Sequence, residues 1–275
     1  RKNKITEIYI AIPSLRDDEK TNLIKKIYKI NKSVSIKITG GVDEILIENQ
    51  SVTPLKEISY DNFLNKKKIY DIYPLKNKNI FKKNVLITGA GGSIGSELSK
   101  QVLNLKPKKL IIIDSSESLL FKIQQEILKN TNRKTTKIIT YLISIKEKKY
   151  LTDIFKAHTI DTIYHAAAYK HVGLVENNMC YSILNNVLGT LNLCELTVAY
   201  KIKQFVLISS DKAVEPNNIM GLTKKISELL CQEFSEKKTQ SNFTIVRFGN
   251  VIGSSGSVIP IFQKQILSGG PITLT

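Results

Sequence analysis

The sequence contains few of the residues that build metal centres and disulfide frameworks. Its 275 residues include no tryptophan, three cysteines and three histidines. The cysteines form no Cys-x-x-Cys pair, and the histidines show no His-x-His or His-x-x-x-His spacing. We therefore predict small buried thiols in a reducing compartment and no metal site. The chain also lacks a run of about 18 apolar residues and a signal peptide, so we expect no membrane span within it.

Arginine is scarce as well, although the chain is basic. Lysine and arginine together number 41 against 24 acidic residues, a formal net charge of +17, but only four of the 41 are arginines. The excess is spread out, with +8 over residues 1–84 and +9 over the remainder. Because no arginine-rich stripe is present to grip bases or phosphates, we predict a solvated lysine surface and no nucleic-acid partner.

Apolar residues make up 42% of the chain, which is enough to bury a sizeable core. Residues 5–12 are predicted to form a strand, residues 15–30 an amphipathic helix and residues 34–39 a second strand. We assign this strand–helix–strand unit to residues 1–47. The polar, lysine-rich residues 48–84 are predicted to connect it to a second unit.

The second unit, residues 85–275, alternates predicted strands with helices. The strands are near-continuous runs of isoleucine, valine and leucine, as expected for a parallel sheet that is covered on both faces. This pattern predicts an α/β fold with a doubly wound parallel sheet and ligands at the carboxyl ends of the strands. The predicted strands are 84–88, 109–114, 137–143, 162–167, 204–209 and 243–248, and the predicted helices lie near 94–105, 117–129, 147–157, 178–200, 218–236 and 258–267.

A glycine motif follows the first of these strands, in "NVLITGAGGSIGSEL" (84–98). Gly89 is predicted to make the tight turn, Gly92 to let the backbone approach a pyrophosphate, and Gly95 to let the helix pack on the strand. Ser93 and Ile94, which lie between the last two glycines, belong to the same predicted cofactor site. The next strand ends at Asp114, which is placed to accept hydrogen bonds from an adenosine ribose. Serines follow Asp114 where an arginine would be needed for a 2′-phosphate, so we predict NAD and not NADP.

A second polar stretch, "ISSDKAVEPNNIMGLTKK" (208–225), follows another predicted strand. It contains Asp211 beside Lys212, and Met220 four residues before Lys224. Taken alone, an acid next to a lysine in a loop is more often a solvated ion pair than a catalytic one.

Five motifs in order carry a resemblance to a known family. Besides the glycine motif and residues 208–225, they are "HAAAYKHV" (165–172), "NNVLGTLNL" (185–193) and "VRFGNVIGSSGSVIP" (246–260). Together they resemble the extended short-chain dehydrogenase/reductases, and more closely the CapD-like polysaccharide biosynthesis branch with its membrane-associated UDP-N-acetylglucosamine 4,6-dehydratases. The resemblance begins near residue 5 and is dense from residue 85.

The resemblance implies a redox-neutral loss of water from a UDP-sugar. C4 gives hydride to NAD+, a base removes the C5 proton, the 6-hydroxyl is protonated and leaves as water, hydride returns to C6 and C5 is reprotonated. Position 220 is tyrosine in the small soluble members and methionine in many membrane-anchored ones, and methionine exchanges no proton. Lys212 is therefore expected to take the C5 proton, and Asp211, with a raised pKa, to protonate the leaving group. Ser210 is expected to hold the 4-hydroxyl oxygen, whose proton goes to Asp211 or to water.

The resemblance also implies the remaining site residues. Lys224 would fix the nicotinamide ribose. Ala166, Ala167 and Tyr169 would line the cofactor, and Asn250 would lie at the substrate diphosphate. The other predicted substrate-binding residues are Lys170, His171, Glu176 and Asn186.

The chain departs from the family pattern in three places. Ile143, Ser144 and Ile145 replace Gly-Asp-Val near the adenine, Gly173 replaces a common proline, and the chain stops before the segment that closes over the sugar. We therefore expect residues 85–275 to be a C-terminally truncated NAD-binding catalytic domain. Alternatives are a nucleotide-sugar 4-epimerase or reductase on the same fold, and a non-catalytic NAD-binding protein.

The resemblance further implies a location and an assembly. Residues 1–47 resemble the tail of a second Rossmann-like domain that precedes the catalytic domain in long members. We expect the full-length protein at the cytoplasmic face of a membrane, attached only through segments absent from this stretch, which itself would be soluble. We also expect a homo-oligomer.

Overall fold

The computed structural model describes residues 5–10, 12, 17–30, 34–39, 55–57, 79–129, 136–237, 240–251, 261–262, 265 and 270–273. By its internal contacts the chain divides into Arg1–Leu75 and Lys76–Thr275, here named unit 1 and unit 2. This division falls inside the predicted connector, residues 48–84, of which only 55–57 and 79–84 belong to the described residues.

Unit 1 contains the predicted strand–helix–strand arrangement. Its elements are β1 (Glu7–Ile10), α1 (Asp17–Ile30), β2 (Ser35–Thr39) and β3 (Leu55–Glu57). β1 and β2 pair in parallel, as a crossover through α1 requires, and β3 adds to β2 in antiparallel orientation. Ile10, Ile24, Val34 and Ile36 form its small buried core. Strand β3 was not predicted, because three residues in a lysine-rich stretch carry too short a pattern to detect.

Six parallel strands of unit 2 form one sheet in the order β6-β5-β4-β7-β8-β9, so the predicted doubly wound parallel sheet is confirmed. The observed strands end within two residues of the predicted ones. They are β4 (Asn84–Thr88), β5 (Lys109–Asp114), β6 (Lys137–Leu142), β7 (Thr162–His165), β8 (Gln204–Ile208) and β9 (Asn242–Val246).

Helices cover both faces of this sheet, which explains why its strands read as continuous apolar runs. Val85 and Ile87 of β4 pack into one core with Ile123 of the helix that follows β5. The residue between them, Leu86, packs into the opposite core with Phe155. The helices are α2 (Ser93–Asn104), α3 (Glu117–Lys129), α4 (Lys148–Ala157), α5 (Val172–Asn177), α6 (Met179–Ile183), α7 (Gly189–Ala199) and α8 (Ile219–Glu236).

The single helix predicted near residues 178–200 is wrong in detail. The chain forms α5 before it, breaks at Asn178, and passes from α6 to α7 through a π-helical turn at Leu184–Leu188. In this turn the carbonyl oxygen of Asn186 accepts hydrogen bonds from the hydroxyls of Thr190 (2.5 Å) and Ser227 (3.0 Å). The periodicity of apolar residues in the sequence does not predict tertiary hydrogen bonds of this kind. The helix predicted near 258–267 lies mostly outside the described residues, and of these 261, 262 and 265 are helical.

All six strands of the sheet run in the same direction, so their carboxyl ends meet at one edge. The glycine turn follows β4, Asp114 ends β5, and the loops after β7, β8 and β9 carry Tyr169, Asp211 and Asn250, respectively. Within the described ranges, no helix combines the length and apolar character needed to cross a bilayer. The same part of the chain contains no cluster of three or more histidine, cysteine or acidic residues that could hold a metal ion.

Candidate active site

The glycine turn is held tightly between β5 and the loop after β7. Gly89 has a φ of +66°, a region that residues with a Cβ rarely adopt. A Cβ on Gly89 would lie 2.5 Å from the Cα of Ala167 and 2.6 Å from its nitrogen. The N–H of Ala90 donates a 3.1 Å hydrogen bond to the carbonyl of Ile113 in β5. The turn therefore requires glycine at its first position.

Helix α2 begins directly at this turn. A Cβ on Gly95, in the first turn of the helix, would clash with the carbonyl oxygen of Gly89 and lie 2.7 Å from its carbonyl carbon. Gly92, the N-cap residue, is less crowded, because the nearest atom to a Cβ there would be Gly89 O at 3.3 Å. The first turn of α2 contains no acidic residue, so the positive end of its dipole is available to an anion.

Asp114 is joined by one hydrogen bond to the glycine turn and by another to the residues that follow β5. Its Oδ2 accepts from the N–H of Gly91 (2.9 Å), and its Oδ1 accepts from the N–H of Ser116 (2.9 Å). The side chain is 9% exposed at the end of β5 and lines a cavity of about 250 Å³. We name this the glycine cavity, because Gly89 and Gly92 also line it.

Asp211 and Lys212 lie on a short 3-10 helix, Asp211–Ala213, after β8. The Nζ of Lys212 donates to Asp211 Oδ1 (3.1 Å) and to Asn250 Oδ1 (3.0 Å), and Ser210 Oγ donates to the same Asp211 oxygen (2.9 Å). The two neighbouring side chains bind each other, because their charges attract, and Asn250 offers Lys212 a second acceptor.

The pKa of Asp211 contradicts the expectation of a raised value. Hydrogen bonds from Lys212 and Ser210 stabilise the carboxylate and lower its pKa. The Asp211 side chain is 53% exposed and that of Lys212 is 36% exposed, so burial does not reverse the effect. Asp211 is therefore ionised at neutral pH in the unliganded protein.

Helix α8 places Met220 and Lys224 beside this pair. The side chain of Asn218 caps the helix by accepting from the N–H of Gly221 (2.8 Å). Lys224 is 7% exposed, and its Nζ donates a 2.6 Å hydrogen bond to the carbonyl of Ile208 at the end of β8. Burial lowers the pKa of Lys224 to about 8. Met220 is 5% exposed and offers no exchangeable proton.

The loop after β7 is the common wall of three adjoining cavities. Ala166, Ala168 and Tyr169 line all three. Besides the glycine cavity, there is a cavity of about 230 Å³, named here the lysine cavity, and one of about 520 Å³, named the outer cavity. The lysine cavity is lined by Ser93, Ile94, Lys170, Ser209, Ser210, Lys212, Met220, Lys224, Phe248 and Asn250, among others. The outer cavity contains Gly95 and His171, and the glycine cavity contains Ala167.

Two predicted substrate-binding residues have other roles in the structure. Asn186 is 1% exposed, and its amide bonds the N–H (2.8 Å) and the carbonyl (3.0 Å) of Tyr169. Glu176 accepts a 2.7 Å hydrogen bond from the N–H of Ile219, the first residue of α8. Asn186 thus fixes the backbone of the loop after β7 at Tyr169, and Glu176 caps the N-terminus of α8. Buried backbone donors compete for such side chains, which a motif comparison does not reveal.

His165 is buried below the cleft and does not face it. Its Nδ1 is 2.8 Å from Thr88 Oγ1 and its Nε2 is 3.0 Å from Thr190 Oγ1, so both ring nitrogens are bonded. Burial, together with the charge of Lys224, lowers the pKa of His165 to about 3. The imidazole is therefore neutral and structural.

Sequence reasoning missed a buried carboxylate that is bonded to the wall of the lysine cavity. Glu228 is 1% exposed and accepts hydrogen bonds from Ser209 and Arg247. Two signals were available in the sequence. Glu228 lies four residues after Lys224 on the same helix face, and Arg247 is one of only two arginines after residue 84.

The sequence spans about half the length of the curated relatives that it matches. It is 38% identical over all 275 residues to the capsular polysaccharide biosynthesis protein CapD of Staphylococcus aureus, of which it spans 45%. Over 200 residues, 70% of this chain and 57% of the relative, it is 35% identical to a UDP-N-acetylglucosamine 4,6-dehydratase (inverting) of Campylobacter jejuni. Over 199 residues, 70% of this chain and 56% of the relative, it is 33% identical to a UDP-glucose 4-epimerase of Rickettsia typhi.

Solved structures share the fold of unit 2. Pen from Bacillus thuringiensis is 37% identical with a TM-score of 0.66, over 71% of this chain and 59% of that one. The dTDP-glucose 4,6-dehydratase DesIV of Streptomyces venezuelae, solved with NAD and TYD bound, is 21% identical with a TM-score of 0.57, over 69% and 63% of the two chains. The second likeness shows the fold alone.

A family model described as polysaccharide biosynthesis protein matches residues 85–275. This range contains the glycine turn, the three cavities and the Asp211–Lys212 pair. The chain therefore belongs to the polysaccharide biosynthesis protein family, within the extended short-chain dehydrogenase/reductases, and is related to nucleotide-sugar dehydratases and epimerases.

Proposed function

We propose that unit 2 is the catalytic unit of an NAD-dependent nucleotide-sugar 4,6-dehydratase. Its substrate is UDP-N-acetylglucosamine and its product the UDP-4-keto-6-deoxy-N-acetylhexosamine, used in the synthesis of a surface polysaccharide or glycan. One observation carries the proposal. Lys212 lines the lysine cavity together with Lys224 and Met220, which supplies no phenol, and the Nζ of Lys212 is hydrogen-bonded to Asp211 just outside that lining.

The residues present fit NAD. The Gly89 turn and the start of α2 suit a pyrophosphate, because the backbone approaches closely there and the helix dipole attracts an anion. Asp114 at the glycine cavity suits an adenosine ribose diol, and its charge would repel a 2′-phosphate. Lys224 would hold the nicotinamide ribose in the lysine cavity. When bound, NAD supplies the hydride acceptor for C4 and the hydride donor for C6.

The pair offers one proton acceptor and one proton donor, and the elimination of water needs one of each. Removal of the C5 proton and protonation of the departing 6-hydroxyl require one acceptor and one donor. In the unliganded protein Asp211 is the ionised acceptor and the ammonium of Lys212 is the donor. The roles that the resemblance implies, Lys212 as base and Asp211 as acid, require the proton to cross their 3.1 Å hydrogen bond first.

The substrate would occupy the lysine and outer cavities. Lys170 lines both, His171 lines the outer cavity, and Asn250 lines the lysine cavity. A cation and hydrogen-bond donors at these places suit a sugar and its diphosphate. We propose Lys170, His171 and Asn250 as substrate-binding residues.

A 4-epimerase is the second candidate, because a relative at 33% identity has that name. Both reactions begin with oxidation at C4, but epimerisation leaves the C5 and C6 substituents in place. It therefore needs no acid–base pair at those carbons. The Asp211–Lys212 pair favours the dehydratase over the epimerase, and over a non-catalytic NAD-binding protein.

Incubation of the full-length protein with UDP-N-acetylglucosamine separates the three candidates. A 4-keto-6-deoxy product supports the dehydratase, and interconversion with the galacto sugar supports the epimerase. Bound NAD without turnover supports the non-catalytic protein. Mass spectrometry distinguishes the dehydratase from the epimerase. Dehydration removes one water, about 18 Da, from the substrate, whereas epimerisation conserves its mass.

We also propose that the protein is a homo-oligomer. Exposed leucines occur along neighbouring helical segments, at Leu184 (44% exposed), Leu188 (38%), Leu222 (45%) and Leu229 (49%). Apolar side chains exposed together in this way are typical of an interface. Light scattering of the wild type and a Leu222→Lys, Leu229→Lys variant tests this. Membrane attachment would come from segments outside this chain, which fractionation of the full-length protein tests.

A further inference from the structure

Glu228 is a buried carboxylate that the proposed chemistry does not use. Its Oε1 accepts from Ser209 Oγ (2.5 Å) and Arg247 Nε (2.8 Å), and its Oε2 accepts from Arg247 Nη2 (2.5 Å). Burial raises the pKa of Glu228, but the hydrogen bonds from Arg247 and Ser209 outweigh it, so the pKa lies below its ordinary value. The carboxylate is therefore ionised and bound on both oxygens. A two-point pair with arginine fixes direction as well as distance.

The two partners of Glu228 belong to different loops of the active site. Ser209 directly follows β8 and precedes Ser210, Asp211 and Lys212. Arg247 directly follows β9 and precedes Phe248 and Asn250. Glu228, which lies on α8, therefore contacts the first residue of each loop at once.

Further hydrogen bonds join the same two loops toward the cleft. The N–H of Ser209 donates to the carbonyl of Val246 (2.7 Å), and the N–H of Asp211 donates to the carbonyl of Phe248 (3.1 Å). The last bond of the series is the one from Lys212 Nζ to Asn250 Oδ1 (3.0 Å). The spacing of the two loops thus determines where the Lys212 ammonium lies.

Among the described residues, β9 is the last strand in the sheet order and pairs only with β8, so the described neighbour of the β9 loop lies on one side, in the β8 loop. The ion pair of Arg247 with Glu228 connects this loop to α8, the helix that also carries Lys224.

We infer that Glu228 is a positioning residue, which holds the β8 and β9 loops at a fixed spacing through Ser209 and Arg247 and so places Lys212 between Asp211 and Asn250. The inference rests on the proposed dehydratase function for its effect on turnover. The fixed spacing itself does not depend on that function. The two parts are therefore tested by separate measurements.

The first measurement is the turnover of Glu228→Gln. The glutamine keeps the shape and one acceptor but loses the charge that binds Arg247. We expect kcat to fall by about 10- to 100-fold, because displacement of a catalytic group by an ångström has effects of this size. The Kd for NAD, measured well below pH 8 so that Lys224 stays charged, should stay unchanged, since the glycine turn is not involved. Glu233→Gln is the matched control, as it lies on the same helix in an exposed pair with Lys237.

The second measurement is amide hydrogen exchange of the same variants, without substrate. Glu228→Gln should speed exchange in peptides that cover 209–212 and 247–251, and leave peptides of β4 and α2 unchanged. Arg247→Lys keeps the charge but loses the two-point contact, so we expect an intermediate effect on both measurements. It also carries the test if Glu228→Gln does not fold.

The outcomes separate the two proposals. If the wild type forms no product, the dehydratase proposal fails and hydrogen exchange alone decides the role of Glu228. If Glu228→Gln matches Glu233→Gln in kcat and exchange, the inference is overturned. It is also overturned if NAD affinity and protection fall throughout unit 2, since Glu228 would then only stabilise the fold.

Discussion

The side-chain nitrogen of Lys224 donates a 2.6 Å hydrogen bond to the carbonyl oxygen of Ile208, the last residue of β8. The lysine is thus fixed at the point where the strand ends and the Ser210–Lys212 segment begins. Burial lowers its pKa to about 8. Because this pKa is close to neutral pH, the charge of Lys224 at the site should change with pH in that range.

We expect turnover to fall as pH rises through about 8, because Lys224 then loses the charge that would hold the nicotinamide ribose. In Lys224→Arg the side chain stays charged, so any remaining turnover should not decline in this range. A pH profile of kcat/KM from 6 to 10 checks both statements. The same decline in both proteins would assign it to another group.

The same lysine should make the free energy of unfolding change with pH in the opposite direction to turnover. The folded-state pKa of about 8 is below the ordinary value of 10.5. Between these pH values the unfolded chain binds a proton that the folded chain does not, so the free energy of unfolding should rise with pH across that window. Urea unfolding of the wild type and Lys224→Met at pH 8 and pH 10 measures the difference. Lys224→Met should show the smaller rise.

Lys212→Ala should lose turnover while NAD still binds. Removal of a proton-transferring group costs about 10²- to 10⁴-fold in rate. The cofactor contacts that we propose lie on the glycine turn, at Asp114 and at Lys224. Product formation and the Kd for NAD are measured on the same preparation, with the exposed Lys203→Ala as control. Unchanged turnover in Lys212→Ala would refute the role of the pair.

Met220→Leu and Tyr169→Phe should retain most of the turnover. Position 220 has no phenol, but the Tyr169 ring lines the lysine cavity. If Asp211 and Lys212 move the protons, neither substitution removes a reacting group, and we expect losses below about tenfold, less than general acid–base catalysis contributes. A loss in Tyr169→Phe as large as that in Lys212→Ala would transfer the proton chemistry to the Tyr169 hydroxyl.

Gly95→Ala should weaken NAD binding, whereas Gly173→Ala should stabilise the fold. A Cβ on Gly95 would meet the backbone of Gly89 within van der Waals contact, so the turn or α2 must shift and NAD affinity should fall. A Cβ on Gly173, in α5, would meet nothing within 4 Å. Alanine there should stabilise the fold by roughly 0.5–1 kcal/mol, since glycine in a helix is entropically costly. Thermal unfolding and NAD titration of both variants test the pair.

Acid should destabilise the fold through His165. Its folded-state pKa of about 3 lies below the ordinary 6.5, so only the unfolded chain binds the proton between these values. The free energy of unfolding should therefore fall as pH drops below 6.5, by roughly 3 kcal/mol at pH 4.5. His165→Asn should unfold more readily at pH 7 but lose less stability on acidification. Urea titrations at pH 7 and pH 5 compare it with the exposed His171→Asn.

The sheet of unit 2 was predictable because its signals are local. Each strand is a continuous apolar run, and the glycine motif and Asp114 lie at strand ends, so the sequence pattern alone indicates which residues meet. The hydrogen bond from Lys212 to Asn250 was not predictable, because Asn250 lies 38 residues further along the chain. The hydrogen bonds of Asn186 and Glu176 were not predictable for the same reason. Each binds a backbone group on a different element.

The carboxylate of Asp114, which we propose for the ribose, also accepts the N–H of Gly91 and so helps to fix the shape of the glycine turn. Removal of the whole carboxylate changes both contacts at once. A weakened affinity in Asp114→Ala would therefore combine a lost sugar contact with a relaxed backbone. Asp114→Asn, which keeps an oxygen for Gly91, is the substitution that can distinguish the two.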